Sequence, residues 1–219
     1  MRSHLEQCRH NMVEQQVRPW DVLNDQILNT LELIPRDQFV PEQYKNLAYA
    51  DTAIPLNTSQ YMMHPVVEGR LLQSLDLQPE DNILEIGTGS GYLSACLAQL
   101  GRHVDTVEID AALAQQAEKN LQQLGINNVS VRCANGLDLT GCASKYDAIA
   151  VTGSLGEIPA ELKQALTING RLFVITGNAP AMQAHLITRI AENDWADEVL
   201  FETVLAALTH GEKPAKFEF

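Results

Sequence analysis

The run Ile83-Leu84-Glu85-Ile86-Gly87-Thr88-Gly89-Ser90-Gly91-Tyr92 decides how this chain is read. An apolar segment of buried-strand type passes through alternating glycines into a stretch with helical periodicity. Glycines in such a turn accept positive φ and let the backbone approach a ligand closely. A dinucleotide-binding turn places its third glycine three residues after the second, so that a pyrophosphate can rest on the helix N-terminus. Here the third glycine comes one residue early, at Gly91, and Tyr92 stands where that fingerprint needs glycine. Glu85 precedes Gly87 by two, giving Glu-x-Gly-x-Gly-x-Gly. The pattern predicts a ligand without a pyrophosphate, its amino-acid end against the turn and its ribose at the end of the next strand. Taken alone, the glycines fit a tight strand-to-helix turn equally well.

Two further strand ends bear on the choice. The next strand closes as Thr106-Val107-Glu108-Ile109-Asp110, placing the Glu108 carboxylate about 20 residues beyond the turn, where it can accept from both ribose hydroxyls and repel a 2′-phosphate. The one after closes as Cys133-Ala134-Asn135-Gly136, where the Asn135 amide offers a donor and an acceptor to an adenine edge. Together the three ends outline an adenosine-shaped site.

Around this centre, β-branched runs alternate with amphipathic ones, the pattern of parallel strands joined through helices. Strands are expected at 82–86, 103–108, 129–133, 146–152 and 170–176, and helices at 91–100, 111–124 and 159–166. A helix at 180–193 and a closing strand at 198–208 complete the core, followed by an aperiodic tail. Upstream, 3–16, 21–33 and 66–77 read as helical. Prolines at 19, 35, 41, 55 and 65 break the chain between them, leaving 35–41 and 54–64 irregular. The expected organisation is a single 1–219 domain: a cap and active-site segment at 1–65, a ligand-binding α/β core at 66–208 and a tail at 209–219.

Composition narrows the function. With 15 Lys+Arg against 28 Asp+Glu, the net charge is −13, and no basic cluster compensates, which argues against a nucleic-acid partner. No apolar run reaches the length of a membrane span, and the N-terminus lacks a signal-peptide centre, so a cytoplasmic location without membrane association is expected. Cys8, Cys96, Cys133 and Cys142 are scattered, and the six histidines show no ligand spacing, so reduced thiols and no metal are expected.

The Glu-x-Gly-x-Gly-x-Gly turn with an acidic second-strand end resembles the class I S-adenosylmethionine-dependent methyltransferases. Within them the chain resembles the protein-L-isoaspartate O-methyltransferase family. Matching segments are Met12-Val13, Gln16-Val17-Arg18-Pro19, Pro35-Arg36, Phe39-Val40-Pro41, Ala48-Tyr49 with Asp51, Ile54-Pro55-Leu56, Leu84 to Tyr92, Tyr146 to Ile149, Ile158-Pro159 and Gly170-Arg171-Leu172. The resemblance implies a doubly wound, mostly parallel seven-stranded Rossmann-like sheet with an N-terminal helical cap. It implies S-adenosyl-L-methionine as cofactor, with contacts from Glu85, Gly87, Thr88, Gly89, Ser90, Gly91, Glu108, Ile109, Asn135 and Gly136. The implied acceptor is an isoaspartyl carboxylate in a damaged protein or peptide, and the product is a methyl ester that can cyclise and reopen.

The family's Gly-Gln-Thr-Ile-Ser segment corresponds here to Ser59-Gln60-Tyr61-Met62-Met63, with Tyr61 in the Thr position and Met63 in the Ser position. Ser59, Gln60 and Tyr61 are therefore the candidate catalytic residues. Another carboxylate or small-molecule acceptor on the same fold, and a non-catalytic binding module, remain alternatives; oligomeric state is not specified. Met62 and Met63 are expected to pack, His64 to be a hydrogen-bonded loop residue, Arg18 and Arg36 to be structural or to steer an anion, and Trp20, Phe217 and Phe219 to pack.

Overall fold

The computed structural model describes residues 4–139 and 146–211, so Cys142, Phe217 and Phe219 lie outside the described residues. At the N-terminus, α1 (His4–Met12) runs on through a wider helical turn at Val13–Val17, and α2 (Asp25–Leu33) starts at Asn24, whose side chain accepts the Gln26 N–H. The segment expected to be irregular contains a short antiparallel pair, β1 (Ile54–Pro55) and β2 (Tyr61–Met62). There follow α3 (Pro65–Leu75), β3 (Asn82–Ile86), α4 (Tyr92–Leu100), β4 (His103–Glu108), α5 (Ala111–Gln123), β5 (Val129–Cys133), β6 (Tyr146–Leu155), α6 (Ala160–Ala165), β7 (Leu166–Asn178), β8 (Ala181–Ala191) and β9 (Asp194–Thr203). No helix among the described residues is long and apolar enough to cross a membrane.

Successive strand residues point to opposite faces, so strands that are apolar throughout must be covered on both sides. Ile83, Ala148, Ala150, Phe173 and Ile175 enter a core shared with α2, α3, α4 and the N-terminal helix. Leu84, Ile86, Ile149, Val151, Leu172 and Val174 enter a second core closed by Leu162 and Ala165 of α6. The seven-stranded sheet has the order β5-β4-β3-β6-β7-β8-β9, parallel from β5 across to β7 and antiparallel at β8 and β9. The chain leaves β3 toward β4 on one side and returns to β6 on the other. Ligands of open α/β sheets bind at this switch point, beyond the carboxyl ends of the strands.

Two expectations at the C-terminal end are corrected. Residues 181–191 form β8, not a helix. They are rich in helix formers, but β7 is 13 residues long and its open edge would leave a row of backbone groups unpaired. Pairing supplies those partners along Arg171–Asn178, and the alternation of Met182, Ala184 and Leu186 into one core, with Ile187 in the other, is that of a strand. The closing strand ends at Thr203 rather than Leu208. Beyond it the chain turns back over the end of β6, where the Ser154 N–H donates to the Ala206 carbonyl (2.9 Å) and the Leu208 N–H to the Ser154 carbonyl (3.0 Å).

Candidate active site

Gly87, Gly89 and Gly91 all have positive φ, at +95°, +55° and +86°, but for different reasons. A Cβ at Gly87 would overlap the Thr152 hydroxyl, and one at Gly91 would press on Ala117 of α5 at 3.3 Å. Packing of the protein on itself therefore requires these two. Among the described residues a Cβ at Gly89 would meet only Leu56 Cδ1 within 4 Å, at 3.2 Å, and the space beyond belongs to a cleft. That cleft contains about 860 Å³ of empty space including its open mouth, within the range of small-ligand sites.

Glu85, at the end of β3, is fully buried. Its Oε2 accepts from the Ser94 hydroxyl and from the Thr106 hydroxyl (2.7 Å), which also hydrogen-bonds to Thr88 (2.6 Å), while Oε1 has no partner among the described residues. Burial pushes the Glu85 carboxyl up to about 8; the Ser94 and Thr106 hydrogen bonds pull against it, and the Glu108 and Glu68 charges add to the rise. Buried oxygens without partners are uncommon and costly, so this one marks a place for a donor, best a cationic one.

Glu108, at the end of β4, faces the same cleft. Its Oε2 accepts the Gly89 N–H (2.8 Å) and its Oε1 the Asp110 N–H (3.0 Å). Oε2 keeps a further lone pair, and on Oε1 the second is met only by the long 3.5 Å contact from Gln60 Nε2, which a ligand hydroxyl can displace. Asn135 and Gly136 form the third rim. The exposed Asn135 turns its Oδ1 to the Leu137 N–H (3.1 Å), and Gly136 lies so close to Ile86 that a Cβ there would come within 2.7 Å of Cγ2. Thr88, Ser90 and Ile109 also line the cleft, Ser90 accepting the Tyr92 N–H at 3.3 Å. The structure thus gathers the residues singled out on three strand ends into one cleft, except that Gly91 faces α5.

The profile of the protein-L-isoaspartate(D-aspartate) O-methyltransferase family matches residues 7–213. The chain belongs to this family. It is similar to a protein-L-isoaspartate O-methyltransferase of Rhodopseudomonas palustris, 37% identical over 190 residues that cover 86% of this chain and 87% of the relative. One from Gloeobacter violaceus is 36% identical over 203 residues, covering 93% and 98%. Among solved structures, a Plasmodium falciparum protein described as a beta-aspartate methyltransferase, in complex with S-adenosyl-L-homocysteine, superposes with a TM-score of 0.80. Its identity of 22% over 92% of this chain and 98% of that one shows a common fold.

The isoaspartate methyltransferase family's acceptor segment is where this chain differs, and the structure separates its members. Gln60 and Tyr61 line the cleft, whereas Ser59 is exposed and lies off its wall. Tyr61 is 46% exposed at the mouth; Met63 is 4% exposed, so its side chain also packs in the core. The turn joining β1 to β2 is tied to the cofactor-side rim. Asn57 accepts the Ser59 and Gln60 N–H groups and donates to Asp110 (3.2 Å), while Gln60 Nε2 lies 3.5 Å from Glu108.

Arg36 does not steer an anion. It is buried, ion-paired with Glu68, stacked 4.7 Å over the Tyr92 ring, and donates to the Met63 carbonyl at 2.7 Å. Arg18 pairs with Glu14 at 2.9 Å, and His64 sits 3.4 Å from Asp51. Trp20 is half exposed rather than packed.

Several cleft contacts escape sequence reasoning. Thr152 reaches across from β6 to donate to the Gly87 carbonyl (2.6 Å), and the returning segment Ala206–Thr209 forms a wall. Gly153 is fitted to that wall, since a Cβ there would lie 2.7 Å from Leu208. Nothing periodic in 204–209 announces this return; the glycine at 153 is its only trace.

Proposed function

We propose that this protein transfers the methyl group of S-adenosyl-L-methionine to the free carboxylate of isoaspartyl residues in peptides and damaged proteins. The observation that carries the cofactor assignment is the unpartnered, buried Oε1 of Glu85 in a cleft bordered by the open face of Gly89. That oxygen suits the cofactor's ammonium, Glu108 its ribose hydroxyls and Asn135 its adenine edge. When bound, the cofactor supplies a methyl group on a sulfonium, an electrophile that needs no protein nucleophile.

The chain's own residues then have a limited task. A carboxylate with an ordinary pKa near 4 is already ionised at pH 7, so no general base is needed. Alignment and exclusion of water remain, and alignment alone can lower a barrier by about 7–11 kcal/mol. Leu56, Met62 and Leu208 supply apolar wall. Gln60 and Tyr61 are the polar groups of the acceptor segment that face the cleft, and they would orient the carboxylate. Met63 carries no hydroxyl, but a positioning group is replaceable where no proton has to be moved. Acceptors in the cytoplasm, where thiols such as those of Cys96 and Cys133 stay reduced, are the proposed targets.

The test is methyl transfer from radiolabelled cofactor to an isoaspartyl peptide beside its aspartyl twin, with binding measured by calorimetry in the same preparation. Transfer to the isoaspartyl peptide alone is expected. Binding with transfer to neither peptide would overturn the acceptor and leave a different acceptor or a non-catalytic module; absence of binding would overturn the cofactor.

A further inference from the structure

We propose that Asn135 is a site of spontaneous deamidation that ages the protein's own cleft. Asparagine followed by glycine is the sequence most open to this chemistry, because glycine leaves the attacking backbone nitrogen unhindered by a side chain. Two such pairs occur, Asn135-Gly136 and Asn169-Gly170, and both asparagines are exposed.

They differ in how the side chain is held. Asn135 Oδ1 accepts the Leu137 N–H at 3.1 Å, a turn that folds the side-chain carbonyl back over the Gly136 peptide and polarises Cγ toward attack. The leaving Nδ2 has no partner among the described residues, and neither does the Gly136 N–H. Asn57 shows the opposite case, its Nδ2 engaged by both Gln60 and Asp110. Asn169 has no such turn bond among the described residues and adopts a left-handed conformation at φ 67°.

The step balances with water alone. The Gly136 nitrogen bonds to Cγ of Asn135, the C–Nδ2 bond breaks, and the displaced amide nitrogen departs as ammonia with the Gly136 proton. Water opens the resulting succinimide. Entry at Cγ gives aspartate, and entry at the main-chain carbonyl gives isoaspartate, for a net gain of one water and loss of one ammonia.

The two products differ in consequence. Aspartate keeps the side-chain acceptor for the Leu137 N–H. Isoaspartate inserts a methylene into the main chain beside Gly136, which already packs tightly on Ile86, and takes the Cγ carbonyl that holds the turn into the backbone. The rim assigned to the adenine edge is then displaced. This consequence rests on the proposed cofactor site; the modification does not.

The experiment incubates the full-length protein in mildly alkaline buffer, with and without saturating S-adenosyl-L-homocysteine. Peptide mapping follows Asn135 and Asn169, and electron-transfer fragmentation separates isoaspartate from aspartate. Conversion of Asn135 ahead of Asn169, slowed by S-adenosyl-L-homocysteine and absent in Asn135→Gln, is expected. The calorimetric binding stoichiometry should fall one-for-one with the isoaspartyl fraction. Conversion of Asn169 with Asn135 intact overturns the proposal. Undiminished binding by protein rich in isoaspartate 135 overturns its consequence. Failure of the fresh protein to bind overturns the cofactor site itself, whatever Asn135 does.

Discussion

Glu85 should make cofactor binding depend on a proton. Its carboxyl is held at about 8, so the free protein carries it ionised in about one molecule in ten at pH 7 and one in a hundred at pH 6. Pairing with an ammonium requires the ionised form. The apparent dissociation constant should therefore rise about tenfold for each pH unit below 8, until the pKa of the bound state is reached. An α-amino group titrates at about 7.7–8.0, so between pH 6 and 7 the ligand stays cationic and Glu85 alone sets the slope. Calorimetry with S-adenosyl-L-homocysteine, in buffers of different ionisation enthalpy, should show close to one proton released per ligand at pH 6.5. Glu85→Gln should abolish the release and flatten the pH dependence.

The same shift acts on stability, with a definite sign. A carboxyl raised from 4.5 to about 8 stabilises the fold fully below pH 4.5, and that contribution is lost as pH rises through 8. Relative to the parent, Glu85→Gln should gain about 1.4 kcal/mol per pH unit between pH 5 and 8 in denaturant titrations. Parallel stability curves together with pH-independent binding would refute the assignment of a raised pKa and the ammonium site with it.

The glycines separate by role. Gly87→Ala meets both its positive φ and the Thr152 hydroxyl and should cost about 2–4 kcal/mol in thermal unfolding. Gly89→Val should cost about 1–2 kcal/mol yet abolish ligand binding, and unchanged calorimetric affinity would sink the placement. Met63→Ser restores the family's hydroxyl but removes a buried side chain, at about 2–5 kcal/mol by denaturant titration. Isoaspartyl turnover that fails to rise in a folded Met63→Ser protein would show that the missing hydroxyl does not limit the rate. Arg36→Leu leaves Glu68 buried and unpaired and should cost about 3–5 kcal/mol, much of it regained in the double change with Glu68→Leu. A double-mutant cycle without that recovery would mean Arg36 acts chiefly through the Met63 carbonyl or Tyr92.

The sequence carried the parts of the site that local backbone chemistry dictates. Positive φ demands glycine at 87, 89 and 91, and an acid or amide at a strand end announces itself by its distance from the turn. The same reasoning assigned one role to all three glycines, although two of them answer to Thr152 and Ala117, neighbours set by packing. It could not say that Glu85 is left with an unpartnered oxygen, because that depends on where Ser94 and Thr106 point.

Residues 181–191 show the limit most plainly. Their composition favours a helix by fractions of a kcal/mol per residue, while the open edge of β7 offers a whole ladder of backbone hydrogen bonds. Periodicity and turn chemistry are local, and they determined the β3 to β5 strands, the glycine turn and the acids on its rim. The edge pairing of β8, the return of 204–209 over the cleft and the burial of Arg36 with Glu68 join residues far apart in sequence. Only the folded chain decides those, because the energy of burial and pairing belongs to neighbours that sequence order does not specify.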